Sequence, residues 1–495
     1  MPIPLARRVL PLLVLLLALV PAVGATWSIV VVDRRTGEVC VASATCIPRV
    51  DLTAWTPVIL VGRGGGVTQA LLDDGSNKVR ILEGLLAGDT PQAIMQRIRD
   101  EDDGFRSRQI GIVDFVNAPL SFTGGQAGRA KLSLTGEVDD LVYAVQGNVM
   151  VSQAVIEACA IGLRESRGDL AQRVLAGMVR TRQLGGDGRC SCGIGSLGDC
   201  GQPEPGFEKS AHIGYLIVAR MGDTDGACAV GASCVQGDYH LRLSIHGPDA
   251  LPGSPDPIDQ LVERHADWRA ARIGRPDGLL SFAVGPDSLP ADGTSERTIT
   301  VQLVDLEGNT LTTGGATLEV AGADGAPLHV TPGPVSDHGN GKYSFPVRAG
   351  SEPGLDRLAI VARDDLVRAT LYPYLELRSD PPAALHAGLD RLSASAPRAV
   401  PFVVSVPERP QARYWLLARA NGAARPLLRG LLAPASPFFP ASPGALDGAG
   451  RAEASLELPP ASLHTLVGLR LEWTALVLGP GRPTTTNQVA LQVVP

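Results

Sequence analysis

All eight cysteines of this 495-residue chain lie between Cys40 and Cys234, and none follows. A chain that carries its thiols in one half and none in the other does not fold as one uniform body. The asymmetry divides the protein in two. Length agrees, since roughly 100–200 residues per domain suggests two to four domains. Hydrophobic residues at 44% and charged residues at 19% suit a core-forming chain rather than a disordered one. The 57 glycines and 39 prolines point to many turns and much β-structure, yet are too few for a collagen-like chain. A net charge of −7 gives no basis for a nucleic-acid-binding surface.

Residues 1–25 read as a signal peptide. Arg7 and Arg8 supply the positive start, and residues 9–20 form an uncharged apolar run. Pro21 follows, and Ala22, Val23, Gly24 and Ala25 offer compact residues for a cut after Ala25. The run is shorter than the ~20 residues of a spanning helix. No other stretch is long and apolar enough, so no integral membrane span is expected after cleavage. No cysteine at the cut supports a lipid anchor. The expected location is exported: periplasmic, cell-surface or secreted. An even cysteine count then favours disulfides over metal or redox thiols.

Cleavage after Ala25 leaves Thr26 at the new N-terminus. An N-terminal threonine holds a nucleophilic hydroxyl and a base, its own α-amine, on one residue. The amine titrates at about 7.7–8, so a useful fraction is neutral near pH 7. Coincidence is the other reading, because any residue can follow such a site.

Downstream, Trp27 to Val32 is an apolar strand, residues 33–37 a turn, and Glu38 to Thr45 a second strand. Val58 to Val61 is a strand running into Gly64, Gly65 and Gly66, a glycine run without the Gly-Lys-Ser/Thr ending of a phosphate loop. Helical spacing follows at Val79, Leu82, Leu85 and Leu86, then at Ile94 and Ile98 after Pro91, which suits a first-turn position. Strands at 110–115 and 143–148, helices begun by Val155 and Leu170, and strands at 212–220 and 239–245 complete the half. Strands, two helices, strands, two helices, strands suit a layered α+β sandwich.

The cysteines are read as loop staples. Cys190, Cys192 and Cys200 sit in a Gly-rich segment, 185–206, with little apolar periodicity to hold it. Cys-X-Cys followed by Cys also fits zinc, but no fourth ligand is evident, His212 being the nearest candidate; no metal is expected. Cys228 and Cys234 flank a short turn and could pair. Cys40 and Cys46 lie about 20 Å apart on an extended strand and do not suit each other. The eight disulfide candidates are thus Cys40, Cys46, Cys159, Cys190, Cys192, Cys200, Cys228 and Cys234, with no pairing map. Asp223, Thr224, Asp225 and Gly226 resemble the start of a calcium loop but lack its later Glu, so a plain turn is expected.

Several short motifs occur together in order: Thr26-Trp27-Ser28-Ile29-Val30, Thr36-Gly37-Glu38, Val41-Ala42-Ser43, Gly66-Val67-Thr68-Gln69, Arg108 through Asp114, Thr123-Gly124, Tyr143 through Asn148, Gly185-Gly186-Asp187 and Ser210-Ala211. Across about 26–270 they resemble the bacterial family called domain of unknown function 1028, within the N-terminal-nucleophile (Ntn) hydrolase superfamily. The resemblance implies an αββα sandwich and amide-bond hydrolysis with Thr26 as nucleophile. Asn148 or backbone N–H groups would stabilise the oxyanion. Gln69 and Gln146 are candidates for substrate contacts or for fixing the site. Asp187 would orient the amine or cap its glycine-rich turn. One departure stands out. Proteasome-type relatives carry an acid–lysine pair near the threonine, whereas Ala42-Ser43-Ala44-Thr45 supplies neither.

Residues 249–256 are rich in Pro, Gly and Asp, a short helix closes the first domain, and 275–278 reads as a linker. Beyond it the pattern is all-β, with strands at sandwich-like spacing. Ala291-Asp292-Gly293-Thr294-Ser295, Val304-Asp305 with Gly308-Asn309, and Gly339 through Tyr343 resemble the invasin/intimin type of bacterial Ig-like domain over 279–378. Residues 381–495 read as a third, β-rich unit around a Pro/Ala-rich middle.

The expected fold class is α+β, a four-layer αββα Ntn-hydrolase-like sandwich over 26–274 followed by two β-sandwich domains, 279–378 and 381–495. The expected function is an exported amide-bond hydrolase, with a non-catalytic envelope-binding or adhesion protein as the alternative. No cofactor is expected. The partner is an amide or cell-envelope ligand whose identity the sequence leaves open.

Overall fold

A computed structural model of the chain describes residue 24, residues 26–193 and 195–380, and then 384–388, 391–393, 398–406, 409–421, 444–448, 450–458, 467, 470–478 and 484–494. Apart from Gly24, the segment read as a signal peptide lies outside the described residues, as does most of the Pro/Ala-rich middle of the third unit. The chain divides into two compact units, Met1–Ala271 and Arg272–Pro495.

The first unit contains two sheets. Its strands are β1 (Thr26–Asp33), β2 (Glu38–Thr45), β3 (Pro57–Leu60), β4 (Gly64–Ala70), β5 (Arg108–Asp114), β6 (Leu120–Thr123), β7 (Leu132–Val138), β8 (Leu141–Asn148), β9 (Ile213–Ala219) and β10 (Leu241–Ile245). The six-stranded sheet runs β10-β9-β2-β1-β8-β7 and the four-stranded sheet β3-β4-β5-β6. The helices are α1 (Ser76–Ala87), α2 (Pro91–Glu101), α3 (Ala154–Glu165), α4 (Leu170–Gln183) and α5 (Pro257–Ala270). Pro91 opens α2, behind a Thr90 cap that accepts from Ala93 N.

Side-chain alternation in β1 explains its unbroken apolar sequence. Ile29 and Val31 join Val155, Leu163, Val174 and Leu261 in a core shared with α3, α4 and α5. Val30 and Val32 join Ile59, Val67 and Val113 in a core shared with the other sheet. A strand covered on both faces must be apolar at every step, which is the signature of a central strand. A third core places Ile81, Leu85, Ile94 and Ile98 of α1 and α2 against Ile110 and Ile112.

The glycine run that the sequence placed after a strand is itself most of β4. A Cβ at Gly65 would stand 2.9 Å from Val39 Cγ1, and one at Gly66 would stand 2.8 Å from Ile81 Cγ2. Bare backbone there lets the opposite sheet and α1 close in. Strands β6 and β7 were not anticipated; their half-exposed side chains give weak alternation.

Two disulfide candidates are corrected. Cys40 and Cys159 are buried free thiols. Both sit in the apolar core under the helices, where each behaves as a small hydrophobe. Burial pushes the Cys159 thiol up to about 12 and raises that of Cys40 as well. The segment resembling a calcium loop is a turn: Asp223 accepts from the N–H of Arg220 and His240, and Asp225 from that of Val61.

Among its described residues, the second unit holds two separate cores. One gathers Ile299, Val301, Tyr343, Phe345, Val347, Leu358 and Ile360. They project from alternate positions of strands such as Glu296–Gln302, Lys342–Arg348 and Gly354–Arg363. The other gathers Phe402, Val404, Trp473, Ala475, Val477, Leu491 and Val493.

His386 is buried, and its Nδ1 lies 3.1 Å from the Ser288 hydroxyl. Burial lowers its pKa to about 4. The unfolded chain takes up the proton near 6.5, so stability is full above that pH and falls as pH drops toward about 4. A displacement of that size corresponds to about 3 kcal/mol. Urea unfolding of the second unit should therefore weaken by about that amount between pH 7 and pH 4. A His386→Gln variant should show a flatter slope; an unchanged slope would contradict the assignment.

Candidate active site

The site is built at the end of the six-stranded sheet where β1 begins. Thr26 is 3% exposed. Register places it opposite Asn148, the last residue of β8. On its other side the final pair is Trp27 with Ala44, so Thr45, the last residue of β2, stands next in line. Three strand ends thus bring a threonine, an asparagine and a second threonine to one end of the sheet.

Asn148 is fully buried and uses its whole amide. Its Oδ1 accepts from Thr26 N at 3.2 Å. Its Nδ2 donates to Gly24 O at 2.7 Å and to Ala127 O at 2.9 Å. Among the described residues, the Thr26 hydroxyl makes no hydrogen bond, which leaves its oxygen uncommitted.

Gln69 and Gln146 are both buried. Gln69 Nε2 donates to Thr26 O at 2.7 Å and to Gln109 Oε1 at 2.9 Å, while its Oε1 accepts from the Ser28 hydroxyl. Gln146 Nε2 donates to Ser28 O at 3.3 Å, and its Oε1 accepts from Ser121 at 2.9 Å. Gln109 was not singled out from the sequence, yet it ties the sheets together, donating to Gly147 O at 2.8 Å and to Thr123 Oγ1 at 2.9 Å. Its signal was legible in principle: a glutamine inside an apolar strand, in register with Gln69.

Asp187 is fully buried, and its bonds go elsewhere than Thr26. It accepts from Cys46 N at 2.7 Å and from Arg189 N at 3.0 Å, capping the helical turn Gly188–Ser191. Arg189 closes on the same carboxylate at 2.8 Å and reaches Thr45 Oγ1 at 3.3 Å. An aspartate–arginine pair therefore sits beside the neighbouring strand's end, where the sequence showed no acid–lysine pair. Arg189 and Thr45 were missed because their relation to Thr26 is purely spatial.

Two disulfides fasten this corner, and a third lies in the core beneath α1 and α2. Cys46 is bonded to Cys190 across 144 residues, and Cys192 to Cys200 across 8. Cys228 pairs with Cys234 across 6. On the chain-entropy argument the long loop contributes about 5 kcal/mol and each short one about 2–3. His212 lies close to the Cys46–Cys190 pair. Burial, then the Lys209 cation, holds its imidazole below the ordinary pKa.

Residues 26–195 match the family of unknown function DUF1028. Residues 279–365 match invasin domain 3. None of the curated proteins matches the chain. A DUF1028 protein from Silicibacter pomeroyi is 17% identical, covering 49% of this chain and 85% of that one, with a TM-score of 0.36. The adhesin InvE of Yersinia pseudotuberculosis is 17% identical over 44% of this chain and 60% of its own, with a TM-score of 0.19. Invasin, titled a bacterial integrin-binding protein, is 9% identical over 78% of this chain and 57% of its own, also at 0.19. The DUF1028 segment begins at Thr26 and contains Gln69, Gln146, Asn148 and Asp187.

Removing the Asp187 carboxylate takes the ion-pair partner from Arg189 and the acceptor from the Cys46 N–H. Asp187→Ala should cost roughly 2–3 kcal/mol, as loss of hydrogen bonds to a charged group does. Urea unfolding measures this, and a change below ~0.5 kcal/mol would show that the pair does not hold the corner.

Proposed function

We propose that the chain is an exported Ntn-type amide hydrolase in which Thr26, exposed by cleavage after Ala25, is the nucleophile. The stacking of three cores supports reading the first unit as four layers: helices, sheet, sheet, helices. The three disulfides and the invasin-type segment support a location outside the cytoplasm. The β-rich remainder is read as two modules, 279–378 and 381–495.

One observation carries the proposal: Asn148 grips both sides of the bond to be cut. Its Oδ1 holds Thr26 N, which cleavage turns into the α-amine, and its Nδ2 holds Gly24 O, which leaves with the leader. Cleavage thus creates the base and frees an amide N–H beside it. In the proposed reaction the neutral α-amine takes the proton from Thr26 Oγ1 as that oxygen attacks an amide carbonyl. The oxyanion of the tetrahedral intermediate takes up the freed Asn148 Nδ2–H. The ammonium passes its proton to the departing amine as the C–N bond breaks, leaving an ester on Thr26. Water, deprotonated by the same amine, then hydrolyses the ester. Gln69 fixes Thr26 through its carbonyl, and Gln146 fixes the strand at Ser28. Asp187, with Arg189, sets the neighbouring strand end.

A second reading, envelope binding or adhesion without catalysis, is favoured by the match of residues 279–365 to invasin domain 3. Turnover separates the two. The secreted protein, Thr26→Ala and Asn148→Ala should be assayed on a panel of amide substrates. Catalysis predicts activity abolished by the first variant and lowered about 10²–10³-fold in kcat by the second. Equal hydrolysis by wild type and Thr26→Ala would sink the nucleophile, and no hydrolysis by any form would favour the binding reading.

A further inference from the structure

We propose that Cys46, Cys190 and His212, once the Cys46–Cys190 disulfide is reduced, form a three-ligand site for a soft divalent cation of the zinc class. The sequence grouped His212 with Cys190, Cys192 and Cys200. The fold instead pairs Cys192 with Cys200 and brings Cys46, from the end of β2, to Cys190 and His212. Their donor atoms all lie within 4.8 Å of one another. Zinc bonds of about 2.3 Å to sulfur and about 2.0–2.1 Å to nitrogen require donors roughly 3.5–4 Å apart, so the two bonded sulfurs must part on reduction, with His212 already within reach of both. Two thiolates and an imidazole leave a fourth position for water, the pattern of open rather than structural zinc sites.

The backbone at each ligand is pinned independently of the S–S bond. Cys46 N donates to the Asp187 carboxylate at 2.7 Å, Cys190 N to Asp187 O at 3.0 Å, and His212 N to Thr45 O at 2.9 Å. Reduction therefore frees the sulfurs while these three backbone hydrogen bonds remain to present them. The His212 ring makes no hydrogen bond among the described residues, so coordination displaces no partner. Charge also balances. Two thiolates neutralise the cation, while Asp187 and Arg189 neutralise each other at 2.8 Å. The site includes no atom of Thr26 and stands or falls separately from the proposed hydrolysis.

Disulfide and metal exclude each other, which makes the site redox-gated. With a phosphine as reductant, the phosphorus gives two electrons to the S–S bond and takes its oxygen from water, whose two hydrogens end on the sulfurs. Cation binding then releases those two protons.

The test uses the full secreted protein, reduced with a phosphine, freed of it under nitrogen, and titrated with Co²⁺ as the probe. The expected result is a thiolate-to-cobalt charge-transfer band that saturates at one Co²⁺ per chain, absent from the oxidised protein. A Cys192→Ser/Cys200→Ser variant should keep that band. His212→Ala leaves both sulfurs and the half-exposed surface in place, and should weaken binding by at least about tenfold. No band in the reduced protein, unchanged affinity in His212→Ala, or loss of the band in Cys192→Ser/Cys200→Ser would each overturn the site.

Discussion

Burial of β1 on both faces is the constraint on which the first unit depends. One face packs on helices and the other on a second sheet, so every side chain from Trp27 to Val32 is removed from water. That burial fixes where the strand begins in space, and hence where Thr26 stands. A residue at the head of such a strand is held by the packing of the strand on both faces rather than by a loop. Among the polar groups around it, Asn148, Gln69 and Gln109 form one connected set linking both sheets, while the Thr26 hydroxyl stays uncommitted. Buried amides of this kind are tolerable only when fully bonded, and their partners then dictate one geometry.

Much of this was legible in the sequence, and the illegible part has a common physical cause. The apolar run of β1, the helix after Pro91 and the alternating strands of the second unit follow from local periodicity. Thr26 could be named from cleavage-site spacing together with the family resemblance, and Asn148 from the resemblance alone. Cys46–Cys190 could not, since its partners are 144 residues apart and meet only through the tertiary fold. Arg189 beside Thr45 was hidden for the same reason. Cys40 and Cys159 were misread because an even count treats all thiols alike, whereas burial among leucines and valines decides their fate.

The two units solve the stability problem differently. The second holds its described strands mainly by alternate apolar side chains, as in Tyr343, Phe345 and Val347, with buried carboxylates such as Asp356 bonded to the backbone. The first includes a Gly-rich segment, 185–206, with too little apolar surface to fix itself. There a buried carboxylate, an arginine and two disulfides supply what a core cannot. Those fastenings lie beside the neighbouring strand end, so the covalent chemistry of the corner and the proposed catalytic geometry share one framework.

The central claim is that the threonine at the head of β1 is a free-amine nucleophile. The most direct measurement is peptide mass mapping of the secreted protein after treatment with a β-lactone, an electrophile that acylates nucleophilic hydroxyls. The account predicts an N-terminal peptide that begins at Thr26 and carries a single acyl group on that residue. A mature chain that begins elsewhere, or an N-terminal peptide that starts at Thr26 and stays unmodified, would contradict it.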